Sequence, residues 1–250
     1  MWRISFPANG ASELYYPHSG TYYVGSYQNK ISNTTTLCLE LGVNSAINRA
    51  IGTDSDWDYT QSSGLWYFGT FSTRGTSYFI NLDWDKTLNN TSTIYYGYSF
   101  NRNAFNMTNG TYYIENYVVD TPPNTLPSLA SSYTIAYQGP HIGLTKNFNL
   151  SPTIAVESSV AFTPLALVQG HGWWNLRSLD FIHTGTSQMW DAKLGLSYSP
   201  KHLNALRFSA GYRYQYLSLY QGIENTSSTI TWDKATSINR GYYLTGSYKF

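Results

Sequence analysis

Two aspartates two residues apart stand in the run Thr53-Asp54-Ser55-Asp56-Trp57-Asp58 and form the sharpest polar constellation of the sequence. On extended backbone, side chains at i and i+2 share a face, so the carboxyls of Asp54 and Asp56 point the same way. Like charges at that range cannot both ionise freely, and such a pair shares a proton or jointly holds a water. A second cluster, Gln169-Gly170-His171-Gly172-Trp173-Trp174-Asn175-Leu176-Arg177, supplies an imidazole. Placed across a cleft from the carboxylates, His171 would act as general base toward that water. Hydrolysis is therefore the chemistry the two clusters offer together. Read separately, they are solvated loops or an adventitious cation site.

Strands must carry these groups. Ile80, Leu82 and Trp84 alternate with Asn81, Asp83 and Asp85, and Leu194 and Leu196 alternate with Lys193 and Gly195. The same period of two recurs over Leu37–Val43, Ile94–Phe100, Ile154–Phe162, Leu206–Tyr216 and Tyr242–Phe250. Charges fall on one face nearly every time, as a wall between lipid and a polar lumen demands. The chain carries 24 Tyr, 8 Trp and 11 Phe but only 12% charged residues, against roughly 25% in soluble domains. Mean hydropathy is −0.34, and no apolar run approaches the ~18–20 residues of a spanning helix.

These features predict an all-β fold: a closed antiparallel transmembrane β-barrel of about ten strands, with residues 1–250 as a single domain. Trp2–Phe6 would be a first strand, short or truncated. The alternative is a soluble β-sandwich, opposed by the outward Tyr and Leu and by the final strand ending on Phe250. Connectors are predicted to alternate between short ones (29–33, 88–92, 149–152, 199–204) and long ones (49–76, 105–130, 169–176, 220–236). Asp54, Asp56, Gln169 and His171 fall in two of the long ones, which places both clusters at one end.

Several segments, taken in order, resemble the omptin family of ten-stranded outer-membrane endopeptidases. Asp54-Ser55-Asp56-Trp57 is similar to the family's first aspartate pair, likewise followed by Trp. Ser12-Glu13-Leu14-Tyr15-Tyr16 looks like the opening of its second strand, and Gly110-Thr111-Tyr112-Tyr113-Ile114 is similar to part of its third loop. His141-Ile142-Gly143-Leu144-Thr145 is similar to a stretch of its sixth strand. His171 precedes Arg177 by the interval that separates the family's catalytic His from an Arg. The resemblance implies that Asp54 and Asp56 hold the water and that His171 is the base. The family's orienting Asp is replaced here by Gln169, which can hydrogen-bond an imidazole but cannot stabilise an imidazolium by charge. Pro7, Ala8 and Asn9 stand where the family carries acidic residues that select basic substrates. Two functions follow as expectations: an endopeptidase acting on exposed peptides, or a catalytically eroded structural or binding barrel, an adhesin or surface-assembly component. Both place the chain in the bacterial outer membrane, loops outward, among lipid and lipopolysaccharide. No cofactor is implied, with lipopolysaccharide as a candidate activating lipid.

Further exclusions are firm. The single Cys38 permits no intrachain disulfide, and a net charge of +1 without a basic patch argues against nucleic acid. No signal peptide is evident, so the sequence is expected to be either a mature form or one whose Met1 is a cloning start. Glu40, Asp83, Asp85, Glu157, Asp191, Lys193, Arg207 and Arg213 are expected to form ion networks inside the lumen. A ten-strand barrel is close to the size that side chains fill, which disfavours a channel.

Overall fold

The computed structural model describes residues 1–7, 9–62, 64–203, 205–225 and 230–249; the side chain of Ser45 is left aside. Phe250 and Asn204 lie outside the described residues. The strands are β1 (Trp2–Phe6), β2 (Gly10–Tyr15), β3 (Tyr23–Lys30), β4 (Thr35–Asp58), β5 (Leu65–Asn89) and β6 (Ser92–Glu115). They continue with β7 (Val118–Asn149), β8 (Ile154–Trp174), β9 (Leu179–Tyr198), β10 (Leu206–Glu224) and β11 (Thr231–Tyr248). All ladders are antiparallel between sequence neighbours from β3 to β11. Two further contacts close the ring: β1 pairs with β11, and β2 pairs with the distal half of β4. β2 and β3 occupy successive stretches of one edge of β4, so the ring has 10 strand positions.

The expected alternation holds near the short turns. Leu39, Ile80, Tyr96, Leu194 and Tyr212 are exposed on the outer surface. Facing inward, Glu40 lies 3.0 Å from Lys193 and 3.5 Å from Arg213, which also pairs with Asp191. Glu157 pairs with Arg207. Asp83 finds an imidazole rather than a Lys or Arg: His141 Nε2 lies 2.6 Å from its carboxylate, and His141 Nδ1 is 2.8 Å from the Ser99 hydroxyl. Paired charges within a narrow lumen avoid the cost of an isolated buried ion.

The long connectors are a correction. Residues 49–58, 65–76, 105–115, 118–130, 169–174 and 220–224 are strand, and β7 alone runs 32 residues. What joins them are tight links such as 116–117 and 175–178, the second containing one 3₁₀ turn, Asn175–Arg177. Beyond the belt the outer face no longer meets lipid and at the hairpin tips both faces are exposed, so strict apolar alternation fades while the backbone ladder continues. The distal half of the barrel is filled instead of open. Trp2, Tyr16, Phe71, Phe105, Tyr133, Val168 and Trp232 form a buried cluster there. Tyr16 stacks on Phe105 at 4.9 Å, and Trp2 lies 5.2 Å from Tyr133.

Candidate active site

Asp54 and Asp56 sit on the distal part of β4. Asp54 pairs across with Leu14 of β2 and Gly69 of β5, and Asp56 with Ser12 and Tyr67. A Cβ on Gly52 would meet the Phe71 ring at 2.4 Å, which fixes that side of the strand as the inner one. Gly52, Asp54 and Asp56 therefore share the inner face. Two register shifts in β4, between Asn44 and Ile47 and between Ile47 and Ala50, each add a residue relative to β5. Two additions cancel, so the aspartates keep the inward parity of Glu40.

The pair lies beyond the belt, in a poorly solvated setting. Asp54 is 7% exposed, and its Oδ1 has no hydrogen-bond partner among the described residues. Burial lifts its pKa well above the usual carboxylate range, the charge of Asp56 adds to that, and Arg177 opposes it. Asp56 is also raised by burial, offset by the Ser12 hydroxyl and by Arg177. Burial raises the Tyr67 phenol, and the charges of Asp54 and Asp56 raise it further. These causes favour the protonated form of Asp54 beside the Asp56 carboxyl. Sequence reasoning missed Ser12 and Tyr67 as neighbours of the pair; only strand register brings them there.

His171 stands elsewhere. It is 58% exposed on the outer face of β8, with Nε2 2.6 Å from Oδ1 of Asp180, itself 63% exposed. Gln169 is exposed on the same face. The inner positions are Gly170 and Gly172, where an added Cβ would meet the Tyr133 hydroxyl at 2.2 Å and the Phe181 ring at 2.1 Å. The cause is a bulge. Between Thr163 and Ala166, β8 carries one residue more than β9, and the β7–β8 ladder shifts over the same stretch. Pro164 lies in that bulge, where the missing N–H costs no ladder bond. Ala155 and Thr163 are inward below it; Ala166 and Val168 are inward above it. One uncancelled extra residue turns every side chain past it to the opposite face. The structure thus brings Asp54 and Asp56 together and leaves His171 and Gln169 on the other side of the wall.

An inward histidine does exist. His183 is fully buried, with Nδ1 3.0 Å from the Tyr133 hydroxyl and Nε2 3.5 Å from Glu224. It stacks on Trp232 at 4.9 Å and lies 5.3 Å from Trp2. The signals for it were the alternation of β9 past Asp191 and the glycines flanking His171, which mark the packed side of β8. No cluster of three or more His, Cys, Asp or Glu suited to a metal occurs among the described residues.

The geometry defines an antiparallel barrel, closed at its distal end through β1 and β2, with an outward apolar belt, an ion-paired lumen and a filled distal half. A solved structure shares that architecture: the outer membrane protease OmpT from Escherichia coli, TM-score 0.71 at 11% identity, covering 100% of this chain and 92% of that one. That likeness is one of fold. No protein-family model matches the chain, and no curated protein matches it.

Proposed function

We propose that this protein is an outer-membrane barrel of the bacterial envelope, long hairpins facing the cell exterior, that serves as a binding or structural wall protein rather than an endopeptidase. One observation carries the reading. Across the barrel from Asp54 and Asp56, β8 presents Gly170 and Gly172 inward, and His171 is held outside by Asp180. A general base must come within hydrogen-bond reach of the water it activates, directly or through one water. The filled distal lumen likewise argues against a solute channel. On this reading the partners are membrane lipid and lipopolysaccharide around the belt, with a protein or surface polymer at the hairpin tips. A hydrolase of the OmpT kind is the second reading, favoured by the neighbouring carboxyls of Asp54 and Asp56 on the inner face, both raised by burial.

Peptide cleavage separates the two. Refolded protein with lipopolysaccharide present is offered a mixed peptide library, comparing wild type with Asp56→Ala, His171→Ala and Gln169→Asp. No cleavage by any of them is the expected result. Gln169→Asp brings nothing on this reading, because the new carboxylate would lie on the outer face, opposite Thr184 and away from the aspartate pair. Cleavage by wild type that is lost in Asp56→Ala overturns the binding reading. If that cleavage survives in His171→Ala, the base is another group.

A further inference from the structure

The barrel wall is complete at its distal end and one strand short near the short turns. β4 bonds along one edge to β2 at 53–58 and to β3 at 36–43. Its distal neighbours continue around the ring through β1 to β11, since β1 pairs with residues 231–235. β3 prolongs the line of β2, so one strand position separates it from the proximal half of β11. Among the described residues no ladder fills that position. A cleft of about 2290 Å³ opens there, lined by β3 on one side and by the proximal half of β11 on the other.

Exposure records the same gap. Tyr242 is 92% and Leu244 81% exposed, whereas Leu194 and Leu196, flanked on both sides, are 61% and 54%. A Cβ on Gly25 or on Gly241 would touch nothing within 4 Å. Behind the gap, residues 16–22 fold into the lumen, where His18 Nε2 lies 3.0 Å from Asn239. In hydrocarbon, unpaired backbone N–H and C=O groups have no water to turn to, which is why barrels in lipid are closed.

We propose that this slot is a strand-acceptor site, occupied by an extended segment of the same chain that runs ahead of Met1 and continues β1. Continuity with an existing ladder selects this occupant. The β1–β11 ladder, shifted once between Arg3 and Ile4, is regular from Arg3 to Met1: the Met1 nitrogen donates to the Thr236 carbonyl at 3.0 Å, and the Thr236 N–H donates to the Met1 carbonyl at 2.8 Å. The slot begins at the next rung, Ser237. A strand entering along that line is antiparallel to both β11 and β3, as every other pair in the wall is. About ten residues cross a membrane in this form, comparable to the open edge at 237–247.

The parity of the occupant is fixed. Trp2 and Ile4 point inward, opposite Ala235 and Trp232, which are also inward, and Ser237 continues that inner row. The first, third and fifth residues ahead of Met1 therefore face the lumen and are polar or small. The second, fourth and sixth face lipid and are apolar. This inference rests on the membrane reading of the belt.

The test uses the protein as its own cells make it, extracted from outer membranes. N-terminal sequencing and intact mass are expected to give a chain heavier by roughly ten residues, with that alternation. Amide exchange at 237–247 in that material is expected to be at least about 100-fold slower than in the refolded 1–250 chain. A membrane-inserted protein that starts at Met1 overturns the slot proposal and leaves the membrane reading standing. So does a longer chain whose 237–247 amides still exchange fast. Protection that vanishes on dilution to monomer assigns the slot to a second copy and equally overturns it. Absence of the protein from membranes fails the membrane reading itself.

Discussion

Gly170 and His171 are adjacent in sequence and opposite in what surrounds them. A methyl at 170 would be driven into the Tyr133 hydroxyl, which already bonds His183. Overpacking of this kind costs about 1–3 kcal/mol, so Gly170→Ala is expected to lower stability by that amount in detergent melts. His171→Ala removes only an exposed contact with the Asp180 carboxylate and is expected to cost less than about 1 kcal/mol. The reverse order of the two effects would mean that the faces are assigned wrongly. Asp54 allows a pH test. Burial, with help from Asp56, raises its pKa in the folded state, so the fold prefers the protonated carboxyl. That contribution is fully present below the unfolded value near 3.9 and is lost as pH rises through the elevated folded value. Wild type is therefore expected to melt at a lower temperature at neutral than at mildly acidic pH, and Asp54→Asn to flatten that slope. A slope that survives the substitution assigns the effect to another group.

At the scale of elements, bulges decide which chemistry can meet. β4 carries two extra residues and β8 carries one, so Asp54 keeps its sequence parity and His171 loses it. Alternation is readable in a sequence; the placement of an added residue is readable only where something marks it. Pro164 was such a mark, and so was the Gly-His-Gly spacing, since alternate glycines fit the side that a large ring such as Phe181 must approach. Nothing comparable flags the shifts near Ile47. The extent of the strands was hidden for a related reason: residues 105–130 lose apolar alternation once outside the belt, although the ladder between β6 and β7 runs on to Glu115 and Val118. Cysteine labelling tests the bulge directly. In a Cys38→Ser background, His171→Cys is expected to react with a water-soluble maleimide at least about tenfold faster than Val168→Cys, which lies on the packed face. The reverse order, with Val168→Cys the faster, would put His171 on the packed face and remove the bulge from the account.

For the whole molecule, the sorting of charge was legible from the outset because the wall imposes it on every strand. Glu40, Asp191, Lys193 and Arg213 come from three separate strands, and their convergence in the lumen follows from parity and closure rather than from any local motif. What the sequence could not convey was the gap beside β11, because an unpaired edge is a property of neighbours. The height of the lipid belt is the remaining whole-molecule quantity, and one substitution made at two heights measures it. Leu194 is outward in the middle of the belt; Ile51 is outward on β4 beyond it, and both are well exposed. Near the midplane an outward Arg costs about 2–4 kcal/mol, falling to about 0–1 kcal/mol at the interface. Leu194→Arg is therefore expected to reduce folding into lipid vesicles strongly, while Ile51→Arg folds as wild type does. In detergent micelles the gap between them should narrow, because a micelle adapts around a charge more easily than a bilayer does. Equal penalties in vesicles would mean that lipid covers both heights, and no penalty at either would mean that this surface never meets lipid.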